Sequence, residues 1–217
     1  MAEKKPKDKK NYHHGSLRQG LMDEATRMIA LGGAEGLSMR KLADNVGVSR
    51  TAAYHHFKDK NALLCAIAEQ GFQKWQSHFA LLMDEQSGDM SVWLGHFVQG
   101  YLNFSRENQE QYDLMFGRTI WKNGAPTATL KKASFSCFHN YVDLIRQWQV
   151  KGYVDSNLDC LRIAQVSWST LHGMSRLLND GIYLDKGAID AMSKSAVEMI
   201  LSACGTQQLK PFTAAEC

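Results

Sequence analysis

The side chains best suited to chemistry lie close together, between Leu37 and Lys60. Ser49, Arg50, Thr51, Tyr54 and His55 bring hydroxyls, a guanidinium and an imidazole into one short stretch. Their chemistry is recognition. A guanidinium forks onto phosphate or onto the acceptor edge of a base, and hydroxyls bond to phosphate oxygens. Nothing marks bond-breaking chemistry: the chain has no Gly-x-Gly-x-x-Gly, no P-loop, no Gly-x-Ser-x-Gly and no His-Glu-x-x-His. Scattered Asp, His or Cys leave no signature of their own, but an enzyme is not expected. The five cysteines, Cys65, Cys137, Cys160, Cys204 and Cys217, are odd in number and form no Cys-x-x-Cys pair. Reduced thiols in core or surface positions fit better than a disulfide framework or a zinc ribbon. His13-His14 and His55-His56 are adjacent, so on a helix their side chains diverge by about 100° and chelate poorly. No metal and no cofactor are expected.

A second group of residues is aromatic. Trp93, Phe97, Tyr101 and Phe104 repeat at helical spacing, and all five tryptophans follow residue 60. Such a stripe is a packed core, or the wall of a largely apolar pocket for a hydrophobic or aromatic effector, and one face can serve as both. Met115, Phe116, Phe138, Tyr141, Trp168 and His172 are further candidate lining residues. His172 lies one turn beyond Trp168, where it offers a ligand a polar contact or is a satisfied core histidine. No carboxylate is assignable as the partner of a cationic ligand.

The elements that must position these groups are helical. Three prolines in 217 residues favour long uninterrupted helices. Apolar residues make up 44% and charged residues 22%, as in a globular domain. No run of eighteen apolar residues is present, so no membrane-spanning helix is expected, and the polar start gives no secretory signal. Leu17, Leu21, Ala25 and Met28 mark a first helix, capped by Ser16 and ended near Gly32-Gly33. Ser38 caps a second, with Leu37 stapled onto Leu42. Val46-Gly47-Val48 makes a tight turn, and Ser49 caps a third helix over Arg50 to His55. Asp59 caps a long helix carrying Leu64, Ile67, Phe72, Trp75, Phe79 and Leu82. Helices around the Trp93 stripe, over Gln111–Phe116, Leu130–Val150, Leu158–Asn179 and Lys186–Cys204 follow, with a loop from Gly117 to Thr127. The expected class is all-α, with about nine helices.

Two short helices joined by a glycine turn describe a helix-turn-helix. Ala43 is small enough for the second helix to cross closely over the first. Ser49 starts the second helix with its amides outward, where phosphate binds them. Arg50, Thr51, Tyr54 and His55 then face outward, suiting a major groove. The alternative is an ordinary helical hairpin at the edge of a bundle. Charge weighs in the same direction. Residues 1–60 carry twelve Lys/Arg and seven Asp/Glu, whereas the remainder carries thirteen and fifteen. Positive charge gathered at one end points to an acidic partner, most often nucleic acid; the alternative is a basic tail that serves solubility.

Residues 16–72, about a quarter of the chain, closely resemble the N-terminal domain of the TetR (tetracycline repressor) family of bacterial regulators. The most specific parts are Gly33 to Ala43, Gly47 to Ser49 and Tyr54 to Lys60. Tyr12-His13-His14-Gly15 is similar to a lead-in found in part of the family. Trp168-x-x-x-His172-Gly173 resembles the Trp-His-Gly signature of one type of TetR C-terminal domain. The resemblance implies a homodimeric transcriptional repressor on double-stranded operator DNA, with no membrane partner, acting in the cytoplasm at the nucleoid. It implies a flexible basic arm at 1–14, a DNA-binding domain at 15–60, a ligand-binding and dimerisation domain at 61–208 and a frayed tail at 209–217. A small effector would shift the first long connecting helix and change the spacing of the two heads. Carried over by position, Ser38 and Arg40 touch phosphates; Arg50, Thr51 and Ala52 face bases; Ser49, Tyr54 and His55 hold phosphates or sugars; Lys60 meets another phosphate. Lys4 to Lys10 would reach along the minor groove. Thr51-Ala52-Ala53 departs from members with bulky readers there. Ile189, Met192, Ala196, Met199 and Ala203, with Ala164, Ser167, Gly173 and Ser175, are the expected dimer seam. A DNA-binding factor without small-molecule control, architectural or partner-regulated, is the rival, as is an activator.

Overall fold

The computed structural model describes residues 14–84, 90–183 and 189–205. Among these residues there is no strand, and ten helical segments follow one another: α1 (His14–Gly36), α2 (Met39–Val46), α3 (Arg50–His56), α4 (Lys60–Asp84), α5 (Met90–Glu107), α6 (Gln109–Phe116), α7 (Arg118–Trp121), α8 (Ala128–Val150), α9 (Cys160–Asn179) and α10 (Ile189–Ala203). Residues 1–13 and 206–217, which include the basic arm and the tail, lie outside the described residues, as does the expected start of the last helix at Lys186.

Helices α1 to α3 form a head held by local rules. Ser38 Oγ accepts the Lys41 amide and caps α2. Gly47 closes α2 at φ 77°, a conformation that a side chain resists, and its amide returns to Ala43 and Asp44. Ser49 Oγ accepts the Ala52 amide at 3.1 Å and starts α3. Leu37, Leu42, Ala43, Ala53 and Phe57 are buried, so the two short helices meet through small residues and are plugged by large ones. The Arg18 guanidinium lies 5.0 Å from the Phe57 ring centre. Two details differ from expectation. Helix α1 already runs at His14, so Ser16 lies inside it, and it continues past its glycines to Gly36 with a kink at Gly33.

Helix α4 joins head to body and belongs to both cores. Asp59 Oδ1 accepts the Ala62 amide at 2.7 Å, the expected cap. Leu63, Leu64 and Ile67 are buried near its start, and Phe72 and Trp75 are buried further along. It packs on α1 and also on α5, α6, α7 and α8. Amide side chains tie the layers: Gln70 donates to Gln19 of α1 at 2.9 Å, and Gln111 of α6 donates to Gln70 at 3.0 Å.

The body surrounds α5, which packs against α4, α6, α9 and α10. The segment expected as a loop, Gly117 to Thr127, contains the single turn α7, whose buried Ile120 anchors it. The small residues of α9 have partners within their own chain. Ala164, Ser167 and Ser175 are buried within their own chain, and Ser167 Oγ lies 2.8 Å from Tyr141 Oη. They let α9 press onto α5 and α8. On α10, Ile189 and Ala196 likewise face inward, whereas Met199 is 64% exposed.

Candidate nucleic-acid interface and body cavity

The head presents its expected recognition residues on one side of α3 and the start of α2. Arg40, Ser49, Arg50, Thr51, Tyr54 and His55 are exposed, Ser38 and Ala52 are half-buried, and Ala53 behind them is fully buried. That division follows from helical spacing: Ala53 and Phe57 seat α3 on the core, so positions between them turn outward. Among the described residues Arg40, Arg50 and Tyr54 have no hydrogen-bond or ion-pair partner. Their polar groups are available to an incoming partner. Ser38 and Ser49 spend an oxygen lone pair on capping but keep an O–H to donate, and both sit where helix amides emerge. Two exposed cations that spacing did not single out, Lys41 and Lys58, lie on the same head. Lys60 is placed differently from the expectation. Its Nζ donates to the Glu35 carbonyl at 2.8 Å, so it ties the start of α4 to the end of α1. Asn45 reinforces the head by donating to Glu24 at 2.7 Å. A hydrogen bond from Arg27 holds the Glu24 carboxyl below the usual carboxylate range.

A cavity lies in the body between α4, α5, α6, α8 and α9. Of the ten candidates, Phe97, Tyr101, Phe104, Met115, Phe116, Phe138, Tyr141 and Trp168 line it. Trp93 and His172 do not. Trp93 stacks behind Phe97 at 5.5 Å and donates its indole N–H to the Leu82 carbonyl at 2.6 Å, which makes it core. His172 stands behind Tyr112, with Nδ1 2.6 Å from Tyr112 Oη. Phe72, Trp75, Gln76 and Phe79 of α4 also line the cavity, as do Tyr112, Ser134, Cys137 and Asn140. The signal for Phe72, Trp75 and Phe79 was their spacing of three and four. Nothing in the sequence pointed to Gln76 or Asn140. The space between these walls totals about 560 Å³ with its openings. An outer vestibule of about 640 Å³ with its openings shares Phe72, Met115, Phe116, Ser134, Phe138 and Trp168 with it and adds Trp121 and Phe135.

The polar atoms of this site form a directed chain. The Trp168 indole N–H donates to Tyr101 Oη at 2.9 Å, Tyr101 Oη lies 3.0 Å from Tyr112 Oη, and Tyr112 reaches His172. Burial, with Arg176 nearby, pushes the His172 pKa down and favours a neutral ring. With Nδ1 as acceptor, each hydroxyl donates to the next group along. Burial pushes Tyr112 and Tyr141 up to about 12 and raises Tyr101 well above its ordinary value, so the phenols stay neutral. The Cys137 thiol is also pushed up to about 12 by burial. Among the described residues no cluster of three His, Cys, Asp or Glu side chains could hold a metal ion. No helix among them is long and apolar enough to cross a membrane.

Comparison with known proteins bears on the head. Residues 21–67 match the family described as bacterial regulatory proteins, tetR family. The chain is 43% identical over 53 residues to the HTH-type transcriptional repressor AcnR of Corynebacterium diphtheriae, which is 24% of this chain and 28% of that protein. The chain spans between about a fifth and a half of the length of the curated relatives it matches. Likeness over the whole fold is broader. A protein of unknown function from Rhodococcus sp. RHA1 superposes with a TM-score of 0.78 at 28% identity, covering 90% of this chain and 99% of that one. The TetR family transcriptional regulator PfmR from Thermus thermophilus superposes with a TM-score of 0.65 at 21% identity, covering 84% and 97%.

Proposed function

From a chain that carries the helix-turn-helix domain of the bacterial TetR-family regulators, we propose a homodimeric transcriptional repressor that leaves a pseudo-palindromic operator when a small, largely apolar effector enters its body. The observation that carries this reading is the outward face of α3. Arg50 and Tyr54 stand there without partners, over a core closed by Ala53 and Phe57. The capped N-terminus of α3 and the arginine fork supply phosphate and base contacts; phosphate contacts position the head and base contacts select the sequence. Two heads related by a two-fold axis read half-sites spaced by helical turns. The basic arm adds sequence-independent attraction. The site of action is the cytoplasm, at the nucleoid.

In this reading α4 carries the signal. It supplies Phe72, Trp75, Gln76 and Phe79 to the cavity and, through Lys60, grips the carbonyl of Glu35 in α1. An effector that pushes on α4 therefore pulls on the head. A second reading rests on the packing of the cavity walls against one another, Phe97 being stacked on Tyr141 at 5.4 Å and on Trp93 at 5.5 Å. In that reading the aromatics are packing alone, and a protein partner or no signal at all controls the head.

Selection of genomic fragments by the purified protein, followed by sequencing, tests the proposal. One enriched pseudo-palindrome is the expected outcome, and the genes beside it supply effector candidates for release assays. Salt-sensitive binding to all fragments alike would reject a specific regulator in favour of an architectural one.

A further inference from the structure

The cavity constrains what enters it. Its walls are aromatic rings and Met115, and rings already pair there as a flat guest would pair with them: Phe97 and Tyr141 are parallel at 5.4 Å, and Tyr101 meets Trp75 edge-on at 5.0 Å. Among the described residues no Asp, Glu, Lys, Arg or His contributes to the lining. A carboxylate seated here would lose its water and find no opposite charge, which disfavours it strongly; an ammonium would lose its water too, with only ring faces in partial compensation.

Neutral hydrogen bonding is available, but only at particular atoms. The Tyr101 and Tyr112 hydroxyls are consumed by the chain that runs from Trp168 to His172. The Tyr141 hydroxyl pairs with Ser167, and Ser134 donates to the Lys131 carbonyl. Besides the Trp75 indole N–H and the Cys137 thiol, two carboxamides remain, half-buried Gln76 and exposed Asn140. Gln76 of α4 and Asn140 of α8 line the cavity and have no partner among the described residues. Each offers both a donor and an acceptor, and they come from two helices packed against each other.

We propose that the effector is an uncharged, planar aromatic molecule whose polar substituent is bound by the carboxamides of Gln76 and Asn140. This rests on the effector-controlled reading above. The ring enters from the vestibule between Phe116, Phe138 and Trp168, which separate it from the inner space. It packs against the ring faces and edges of the wall while its amide, carbonyl or hydroxyl group meets Gln76. Because Gln76 lies on α4, the same contact that selects a neutral ligand reaches the helix that holds the head.

Calorimetric titration of the full chain with four matched probes tests the proposal: naphthalene, naphthalene-2-carboxamide, naphthalene-2-carboxylate and naphthalen-2-ylmethylammonium. The carboxamide is expected to bind at least about tenfold more tightly than either ion, the ratio for one lost neutral hydrogen bond or more. Gln76→Leu should remove most of that advantage over bare naphthalene and leave naphthalene itself bound. Gln76→Glu should turn the preference towards the ammonium probe, which keeps the test decisive if the leucine variant folds poorly. Equal or tighter binding of either ion, or carboxamide affinity unchanged in both variants, overturns the neutral-ligand proposal while leaving an effector site in place. No binding of any of the four probes overturns the effector-controlled reading with it.

Discussion

At the residue scale, two side chains in the head with the same charge have different work. Arg50 is exposed and unpartnered among the described residues, whereas Lys60 is bonded to a backbone carbonyl in its own chain. Arg50→Ala should therefore relax operator preference, with a loss of about 1–3 kcal/mol on operator and little on scrambled DNA. Titration of both DNAs checks this, and equal losses would remove Arg50 from base reading. Lys60→Ala should weaken both DNAs alike and also lower the melting temperature, because the end of α1 loses its tie to α4. A pure phosphate contact would leave melting unchanged. In the body, Tyr112→Phe removes the middle link of a buried chain and leaves two polar partners unmatched. A loss of about 1–3 kcal/mol in denaturant unfolding is expected. His172 adds a pH dependence. Its folded pKa is depressed by burial, so the unfolded chain takes up the proton first. Stability is full above about pH 6.5, the ordinary histidine value, and falls as pH drops from there towards the lower folded value. His172→Gln should flatten that slope relative to the parent when both are melted across the range.

At the element scale, the connector between α6 and α8 links the cavity to the head. Met115 and Phe116 end α6 at the cavity wall, and the Trp121 indole N–H donates back to the Met115 carbonyl at 2.6 Å. A few residues later, Asn61 at the start of α4 donates to the Ala125 carbonyl at 2.8 Å. Gly124 makes this approach possible. A methyl group placed there would lie 2.6 Å from Asn61 Oδ1 and 2.8 Å from the Thr119 carbonyl oxygen. Gly124→Ala should thus force the connector away from α4. Overpacking of this kind costs about 1–3 kcal/mol. Effector and DNA should also become less coupled: operator affinity measured with and without the effector should differ less than in the parent. Unchanged coupling together with lowered stability would restrict the connector to a structural role.

At the scale of the whole molecule, assembly is the open physical variable of the proposal. Ala164, Ser167 and Ser175 of α9 are buried against their own body, and the outer faces of α9 and α10 are the surfaces on which the proposed dimer is tested. Val166 on α9 is 67% exposed and Met199 on α10 is 64% exposed, large apolar groups that a partner would cover. Light scattering after size exclusion should give a dimer at micromolar concentration for the parent. The double substitution Val166→Glu with Met199→Glu should give a folded monomer, because a partner would then have to desolvate two charges. Operator binding should fall with the dimer, and non-specific binding should fall less. A dimer that survives both charges would move the interface elsewhere.

The parts legible in the sequence are those made by neighbours along the chain. Ser38, Gly47, Ser49 and Asp59 act within three or four residues, through amide caps and one left-handed turn, so the head was readable from spacing alone. Helix periodicity likewise exposed the aromatic stripes. It could not say how each helix is rotated against the others, and that rotation decides the site. It put Trp93 behind Phe97, withdrew His172 behind Tyr112, and brought Gln76 and Asn140 to the cavity. The Lys60–Glu35 bond spans 25 residues and the Tyr112–His172 bond 60. Such pairs depend on the packing of whole helices, where many weak apolar contacts sum to one arrangement that no local spacing encodes.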